Sequence, residues 1–580
     1  MQILFDCCHV ISDSMKIATV FVAGVFVVWS PAAWAGQVSE VAKAIRIEAT
    51  RPDDGPEGRP LPLATHWSTG SYPAAKGRGP AWQLRMIEQG HHLLPWFQDP
   101  ADNRIPFAEY YEAPLKRARQ LNLPFVIVNT QWESRLSREP YLGLPPEKNP
   151  NVVTAEGKVL AKVSPFGPVA PWREVGASWT NTAAMKQLQQ LYPDPPLVIF
   201  LSNNEHGKLV WTKVEQSKRY LDRYGEEKDP EFKRKVVADG WIERYRALQE
   251  GLRDGLVSKS WKDRAIFVGY EAFGPAHFGR WGGWGAYALN TAGRIAPDPL
   301  MWDGGSPSYY TPPYCPTNDY TVYSPQIESM NWVFMLDQAR KLNPKFWFEL
   351  SIWDGKDAGA ANPNLPWKPD VYRSLGQTYD PARYGGYVQF GMWLLRPRTV
   401  REFRSHIFPH EEGKPYFMAI VEAVDRVYAN TTLKEFWRKG KLVPNRAHQH
   451  PYQAAIPPEY AGVDRWFLLD ADVNPRAVVW QSAEHSGGSQ QIPVFSLALV
   501  RGQSPSRRWL LYAYSPLKDR QRVKITIPDY RAVTVDVSVA GSFYLVDEKD
   551  ETVTPVSSSD GNGSGKQCGL SRSNNPLAFP

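Results

Sequence analysis

The chain has 580 residues, of which 43% are hydrophobic, 22% charged and 13% aromatic. This composition excludes a coiled coil, a collagen-like chain and a disordered protein, because so much apolar and aromatic mass must be buried. The formal net charge of +7 is small for this length and no basic run concentrates it, so nucleic acid is not an expected partner. The 23 Trp residues suggest a surface that stacks on sugar or base rings, with extra aromatic packing as the alternative.

The N-terminus has the pattern of a secretory signal. Met15 and Lys16 precede an apolar run over residues 17–29, and the small-x-small triplet Ala33-Trp34-Ala35 follows. This order predicts a signal peptide over residues 1–35, with Met15 as the true start and cleavage after Ala35. The apolar run is too short to span a bilayer. We therefore expect a secreted or periplasmic protein with no membrane span after signal removal.

Eight short runs rich in β-branched and aromatic residues alternate with amphipathic helical stretches between about residue 60 and residue 440. Alternation of this kind predicts parallel strands joined by helical crossovers. Eight strands fit a closed (β/α)8 barrel better than an open sheet, so we expect an α/β fold with a TIM barrel over residues 36–440. The expected strands are Leu63–Trp67, His91–Phe97, Phe125–Asn129, Leu197–Ser202, Ala265–Tyr270, Leu300–Gly304, Phe346–Glu349 and Gly386–Trp393.

Three helices between these strands are clear from apolar residues spaced three and four apart, over Ala108–Leu121, Glu231–Leu256 and Gln326–Leu342. Residues 135–195 are longer than one βα loop and predict an insertion over the active face. After about residue 440 only strands are expected, which predicts an antiparallel β-sandwich domain over residues 441–556 and a disordered tail over 557–580. The expected sandwich strands are Trp466–Leu469, Ala477–Gln481, Val494–Val500, Trp509–Tyr514, Val523–Ile527, Val533–Val539 and Ser542–Val546.

Carboxylates follow the apolar runs of strands four and seven, where barrel enzymes carry their chemistry. The segment PLVIFLSNNEHG is apolar up to Leu201 and then presents Asn204, Glu205 and His206. The segment KFWFELSIWDG places Glu349 directly after an aromatic run. Two carboxyl groups facing each other across a barrel mouth are what hydrolysis of a glycosidic bond requires.

At these positions the chain resembles the clan A retaining glycoside hydrolases, (β/α)8 enzymes with catalytic glutamates on strands four and seven. The resemblance covers roughly residues 60–440. It implies that Glu205 is the acid/base, that Glu349 is the nucleophile and that Asn204 binds the 2-hydroxyl of the substrate. His206 stands where many relatives carry Pro, and FELSIW differs from their common Thr-Glu-x-Gly form.

The same resemblance assigns two further roles. It implies that Tyr309 or Tyr310, after strand six, donates a hydrogen bond to the nucleophile. It also implies that Trp393, at the end of strand eight, forms the floor of the subsite in which the sugar is cleaved.

Aromatic residues near the strand ends favour a sugar-binding groove. Trp281 and Trp284 lie on a glycine-rich loop after strand five, where their indoles could stack on sugars or pack over the barrel rim. Several such positions favour an endo-acting enzyme or one acting on oligosaccharides. Four more tryptophans follow expected strands or lie in mouth loops: Trp67, Trp132, Trp211 and Trp353.

Other carboxylates could compete for these roles. Glu133 in QWES and Glu271 in GYEAFG follow strands three and five, and we expect each to bind substrate or support the site. For Asp303 and Asp354 we expect ordinary turn or hydrogen-bonding roles.

The sequence predicts no metal and no cofactor. The first strand ends with His66 alone, whereas metal-dependent barrels usually need His-x-His there, and His448-Gln-His450 lies beyond the barrel. His206 and His277 fit sugar hydroxyls or structural roles better. Cys315 and Cys568 are all that remain after signal removal, which excludes a disulfide framework. GxSxG, P-loop and GxGxxG motifs that would indicate serine-hydrolase, nucleotide or Rossmann chemistry do not occur.

Two other functions stay open on these residues. One is a non-catalytic carbohydrate-binding barrel, and the other is a polysaccharide lyase with Arg280 or Arg396 neutralising a uronate. Carboxyl groups of Glu205 and Glu349 about 5 to 5.5 Å apart would favour a retaining hydrolase, and about 6.5 to 9.5 Å an inverting one. We expect a monomer whose partner is a polysaccharide or oligosaccharide, with the sandwich as structural support or a second sugar-binding module.

Overall fold

A computed structural model describes residues 31–66, 79–100, 105–130, 132–203, 207–226, 228–270, 298–309, 333, 336–337, 339–352, 381–402, 410–445, 468–474, 493–516 and 518–557. The structural statements below concern these residues. They include all eight barrel strands, most of the covering helices and much of the C-terminal domain.

Eight parallel strands form the centre of the molecule, which confirms the predicted α/β barrel. From β2 to β8 each strand pairs with its neighbours in the chain, and β8 pairs in parallel with β1. A parallel bridge from Ala64 to Leu93 joins β1 to the segment leading into β2 and closes the ring. The strands are β1 Leu63–His66, β2 Trp96–Gln98, β3 Phe125–Thr130, β4 Val198–Asn203, β5 Ala265–Tyr270, β6 Gly304–Gly305, β7 Trp347–Ile352 and β8 Thr399–Glu402.

The predicted eighth strand is wrong. Residues 386–393 lie in a helix, Pro381–Leu395, and the eighth strand is Thr399–Glu402. The helix is buried along most of its length, so its sequence is mostly apolar and lacks the three-and-four spacing of a surface helix. The true strand was missed because it is only four residues long and ends in Arg401 and Glu402, both fully buried.

Helices cover the outside of the barrel, as the alternating pattern predicts. The stretch predicted over 108–121 begins with a π-helical segment, Ala108–Glu112, and continues as an α-helix. The predicted insertion carries a hairpin, Asn151–Val153 and Val159–Val163, followed by two helices. The helices are α1 Pro31–Thr50, α2 Pro80–Glu88, α3 Ala113–Gln120, α4 Ala170–Thr180, α5 Ala183–Leu191, α6 Lys218–Tyr224, α7 Pro230–Gly255, α8 Lys259–Arg264, α9 Asp298–Met301, α10 Pro381–Leu395, α11 His410–Ala429 and α12 Thr431–Lys439.

The C-terminal domain has two antiparallel sheets, as predicted. Strands β9, β11, β12, β15 and β16 form a five-stranded sheet, while β10, β13 and β14 form a three-stranded sheet. Alternate residues of β13 and β14 are buried between the sheets. The strands are β9 Lys441–Leu442, β10 Asp470–Ala471, β11 Phe495–Arg501, β12 Arg508–Tyr514, β13 Arg520–Thr526, β14 Ala532–Val537, β15 Ser542–Asp547 and β16 Thr552–Pro555.

The hydrophobic core is continuous from the barrel into the five-stranded sheet. Phe390 of α10 packs against Phe495 and Tyr514, with ring centroids 5.4 and 5.6 Å apart. The Tyr512 hydroxyl donates to the Gly386 carbonyl at 2.7 Å. The barrel and the sandwich therefore share apolar contacts rather than meeting through a polar linker.

Two predictions about the ends of the chain lie largely outside the described residues: the signal peptide over 1–35 and the tail over 557–580. The expected strand Ala477–Gln481 lies outside them as well. Within the described part of the chain, no helix combines the length and the apolar character needed to cross a membrane.

Candidate functional site

A buried ion pair between β7 and β8 is the main feature of the candidate site. Arg401 Nη2 and Nε donate to Oε2 of Glu349 at 2.7 and 3.0 Å, and both side chains are fully buried. The remaining guanidinium nitrogen, Nη1, donates to the His66 carbonyl at 2.7 Å. Removing two charges from water is costly unless geometry and hydrogen bonds compensate, and this arrangement supplies both.

The face that carries Glu349 and Arg401 points into the barrel. Side chains alternate along a strand, so the next residue, Glu402, points to the opposite face. There Glu402 Oε2 lies 3.3 Å from His66 Nε2, and the His66 ring packs against Phe417 of α11 on the outside of the barrel. Glu349 is thus an inward-facing carboxylate on the seventh strand.

Glu349 does not end β7 as predicted; it is the third of six strand residues. At about 3.3 Å per residue, Ile352 at the strand end lies about 10 Å further toward the C-terminal mouth. Trp347 Nε1 donates to Glu349 Oε1 at 3.3 Å, so both carboxylate oxygens accept hydrogen bonds. The carboxylate is held rigidly below the rim of the barrel.

Two buried hydroxyls add polar groups to the same inner face. Thr399 is the register partner of Glu349, and Thr65 is the register partner of Arg401. The Oγ1 atoms of both threonines are buried without a hydrogen-bond partner. Buried polar atoms are usually satisfied, so these hydroxyls could hold a water or a substrate hydroxyl beside the ion pair.

The fourth strand ends at Asn203, directly before Asn204-Glu205-His206. The strand order also places β4 three positions from β7 around the ring, which agrees with the spacing expected from sequence. The three residues themselves lie outside the described residues.

Most predicted substrate-binding positions are likewise outside the described residues. Tyr309 ends a two-residue strand, Ser308–Tyr309, that pairs in parallel with Ile352 and its neighbour on β7, which places its backbone beside the C-terminal end of that strand. Outside the described residues lie Glu271, Trp281, Trp284, Tyr310 and Trp353.

Trp393 does not end a strand. It lies in α10, is 1% exposed, and packs edge to face on Trp437 and Phe543, with ring centroids 5.1 and 5.2 Å apart. Its neighbours belong to α12 and to the sandwich sheet. The expectation that Trp393 forms the floor of a sugar subsite is therefore wrong, because its indole is used in the core between the domains.

Two other residues near the strand ends also have structural roles. Trp132 is fully buried and packs on Trp179 of the insertion with ring centroids 5.4 Å apart. Core packing, rather than stacking on a sugar, therefore explains this tryptophan. Glu133 is fully buried and accepts a hydrogen bond from Ser202 Oγ at 3.1 Å. That contact fits the expected supporting role rather than a catalytic one.

Two residues considered in the sequence, Asp303 and Arg396, lie at the opposite, N-terminal end of the barrel. Asp303 pairs with Arg253 at 2.8 Å and accepts the Phe267 amide at 3.0 Å, which is the ordinary hydrogen-bonding role expected for it. Arg396 precedes β8 and donates to backbone carbonyls of Trp437 and Gly440. It cannot neutralise a uronate at the mouth, so the lyase alternative loses this arginine.

Arg401 was missed by the sequence interpretation, because the eighth strand was placed too early. The only local indication is the short β-branched run Thr399-Val400 directly before it. As for metal sites, no group of three or more His, Cys, Asp and Glu side chains within the described ranges has a geometry that could hold an ion.

Comparisons with known proteins leave the family open. No protein-family model matches the chain, and no curated protein matches it. Among solved structures, one described as AbfB, a family 51 α-L-arabinofuranosidase from Bifidobacterium longum, aligns over 90% of this chain and 84% of that chain. The aligned residues are 11% identical and the TM-score is 0.23, so this similarity carries no argument about fold or activity.

Proposed function

We propose that the chain is a glycoside hydrolase that cleaves a polysaccharide or oligosaccharide by a retaining double displacement. The observation that supports this most is the placement of Glu349, an inward-facing carboxylate on the seventh strand of a closed parallel barrel whose fourth strand runs directly into Asn204-Glu205. Those are the strands that carry the two carboxylates in the enzymes that the sequence resembles. The proposal includes export to the periplasm or the medium and action as a monomer.

In the first step, Glu349 attacks the anomeric carbon and Glu205 protonates the departing glycosidic oxygen. The glycosyl–enzyme ester then breaks when Glu205, now a base, takes a proton from water that attacks the same carbon. Arg401 orients the Glu349 carboxylate through two hydrogen bonds before attack. Asn204 would bind the 2-hydroxyl, with His206, Glu271, Trp281, Trp284 and Trp353 as candidate sugar contacts.

The burial of Glu349 favours one competing function. Its carboxylate is fully buried and both oxygens accept hydrogen bonds, as in a purely structural ion pair. A non-catalytic barrel that binds carbohydrate without cleaving it would be consistent with that geometry. The two functions differ in whether Glu349 is required for turnover.

The test is a polysaccharide panel assayed with the wild type, Glu205→Gln, Glu349→Gln and a matched control, Glu402→Gln. The control also alters a fully buried strand glutamate, but one on the outer face beside His66. The proposal predicts cleavage by the wild type and by folded control protein, and a loss of at least about 100-fold in kcat in each of the other two variants. Thermal unfolding of every variant separates lost folding from lost chemistry.

Cleavage that survives in folded Glu205→Gln and Glu349→Gln would exclude both catalytic roles. Binding of a polysaccharide without any cleavage by the wild type would favour the non-catalytic barrel instead.

A further inference from the structure

Four arginines lie close together at the N-terminal end of the barrel, opposite the candidate site. Asp53 and Arg59 lie between α1 and β1, Arg340 lies in the helical segment before β7, and Arg396 and Arg398 precede β8. We call the four arginine side chains the arginine cluster. Asp53 is the carboxylate that ion-pairs with it, which leaves the cluster with a surplus of positive charge.

Two members of the arginine cluster are well compensated. Arg398 donates to the carbonyls of Ala49 and Arg51 and pairs with Asp53 Oδ1 at 3.1 Å. Arg396 donates to carbonyls at the end of α12. Carbonyls at helix C-termini carry partial negative charge, so these two guanidinium groups have suitable surroundings.

The other two members, Arg59 and Arg340, have weaker compensation. Arg340 Nη2 lies 4.0 Å from Asp53 Oδ2, at the limit of an ion pair, and its Nε is buried without any hydrogen-bond partner. Arg59 is half-buried, and Asp53 is the acidic group whose charge acts on it. Burial and the neighbouring charge of Arg59 lower the pKa of Arg340 to about 10.

Mutual repulsion extends through the arginine cluster. Burial, followed by the charges of Arg59 and Arg340, holds the pKa of Arg396 well below its ordinary value. Removing a guanidinium from water without a counter-ion is costly. Besides Asp53, the charge of Asp337 acts on Arg340 and that of Glu48 on Arg398, and these three carboxylates do not match the charge of the four guanidinium groups. The cluster still reaches solvent, because the side chains of Arg340 and Asp53 are 20% and 18% exposed.

We propose that the arginine cluster is a binding site for a sulfate or phosphate group, held chiefly by Arg59 and Arg340. The planar guanidinium fork matches such oxyanions through paired hydrogen bonds. The group could be a free inorganic ion or an ester on an anionic polysaccharide, since the recognition chemistry is the same. The inference does not depend on the proposed activity, because the site lies at the opposite end of the barrel.

The test measures the melting temperature of the full-length protein in 0 to ~10 mM sulfate or phosphate, with ionic strength held constant by sodium chloride. Low concentration and constant ionic strength limit the general stabilisation that these salts give any protein. Arg340→Gln and Arg59→Gln are compared with Arg85→Gln, which alters an exposed arginine on α2. Dextran sulfate at equal sulfate concentration, beside neutral dextran, separates an ester group from the free ion.

The proposal predicts a saturable rise in melting temperature for the wild type and for Arg85→Gln that falls at least fivefold in Arg340→Gln and Arg59→Gln. Without anion, Arg340→Gln should melt at or above the wild-type temperature, because the substitution removes repulsion between guanidinium groups of the arginine cluster. A stronger effect of dextran sulfate than of free sulfate would identify an ester as the ligand, and the reverse order would identify the free ion. Equal rises in all four proteins, or no rise in the wild type, would overturn the proposal.

Discussion

Glu349 and Arg401 depend on each other for their burial. Each is fully buried, and the two hydrogen bonds between them are accompanied by contacts to Trp347 and to the His66 carbonyl. Removing Arg401 leaves the buried Glu349 carboxylate without its counter-charge. Loss of activity in a Glu349 variant is informative only when its folding is measured too.

Replacing Arg401 with Met should lower the free energy of unfolding by about 3 to 5 kcal/mol, because it leaves the Glu349 carboxylate buried without its counter-charge. Urea denaturation followed by tryptophan fluorescence measures the change. The double variant Glu349→Leu/Arg401→Met is the matched control and should recover much of the loss, since neither charge of the pair remains. A double variant less stable than Arg401→Met would contradict this account of the pair.

Glu548 predicts a pH dependence in the sandwich. Hydrogen bonds from Arg507 outweigh the small effect of burial and lower the pKa of Glu548 from 4.5 to about 2. Because the folded pKa lies below the ordinary value, the stabilisation is complete above pH 4.5 and disappears as pH falls toward 2. Glu548→Gln should therefore reduce the melting temperature clearly at pH 7 and much less at pH 3. An equal reduction at both pH values would contradict the assignment.

At the residue scale, sequence predicted those features that local context determines. It placed Glu349 on strand seven and Asn204-Glu205 directly after strand four, because carboxylates that follow apolar runs are visible in the sequence. It missed Arg401, whose role depends on a strand pairing 52 residues away from Glu349. It misplaced Trp393, since an indole in an inter-domain core and one in a sugar subsite look the same in sequence.

At the scale of elements, helices α4 and α7 pack closely against each other. Glycines allow it: a Cβ on Gly251 would overlap the carbonyl oxygen of Arg173, and one on Gly176 would overlap that of Leu248. Both obstacles are backbone atoms, which cannot rotate away. The two helices therefore approach each other more closely than any larger residue would permit.

Gly251→Ala should destabilise the protein by about 1 to 3 kcal/mol through overpacking, although Ala is the better helix former. Gly385→Ala in α10 is the control, because nothing lies within 4 Å of its added methyl group. That control should be neutral or stabilising by about 0.5 to 1 kcal/mol. Chemical denaturation of both variants measures the difference, and two similar values would argue against the close contact.

Helix α10 shows why a buried helix can be mistaken for a strand when only the sequence is considered. The apolar run of α10 satisfies the criteria for a buried strand, and its greater length in the structure is what distinguishes it. The expected strands β1, β3, β4 and β5 agree with the structure to within one residue at each end, because each is a clear β-branched or aromatic run. Strand β6, with only Gly304 and Gly305, offers no such pattern.

At the scale of the whole molecule, the hydrophobic core of the barrel continues into the five-stranded sheet of the sandwich, which has a second core of its own. Trp393 contributes to it from α10 by packing on Trp437 and Phe543. The sequence predicted both domains from the change from alternating helices and strands to strands alone. It could not predict their contact surface, because the residues that form it are distant in the chain.

Trp393→Ala should cost about 3 to 5 kcal/mol of stability and lower the melting of both domains together. Since the indole lies in the core between the domains, the KM of any polysaccharide substrate should stay within about twofold of wild type. Differential scanning calorimetry and steady-state kinetics measure the two effects. A large rise in KM with little loss of stability would instead return Trp393 to the substrate site.

The central claim is that Glu349 is the nucleophile of a retaining glycoside hydrolase. It is tested most directly by chemical rescue of Glu349→Ala with azide, on whichever substrate the panel identifies, using folded protein. A small anion can replace a missing carboxylate nucleophile, so the account predicts negligible cleavage without azide and a glycosyl azide product, detected by mass spectrometry, when azide is added. Cleavage by Glu349→Ala at the wild-type rate in the absence of azide would contradict the claim.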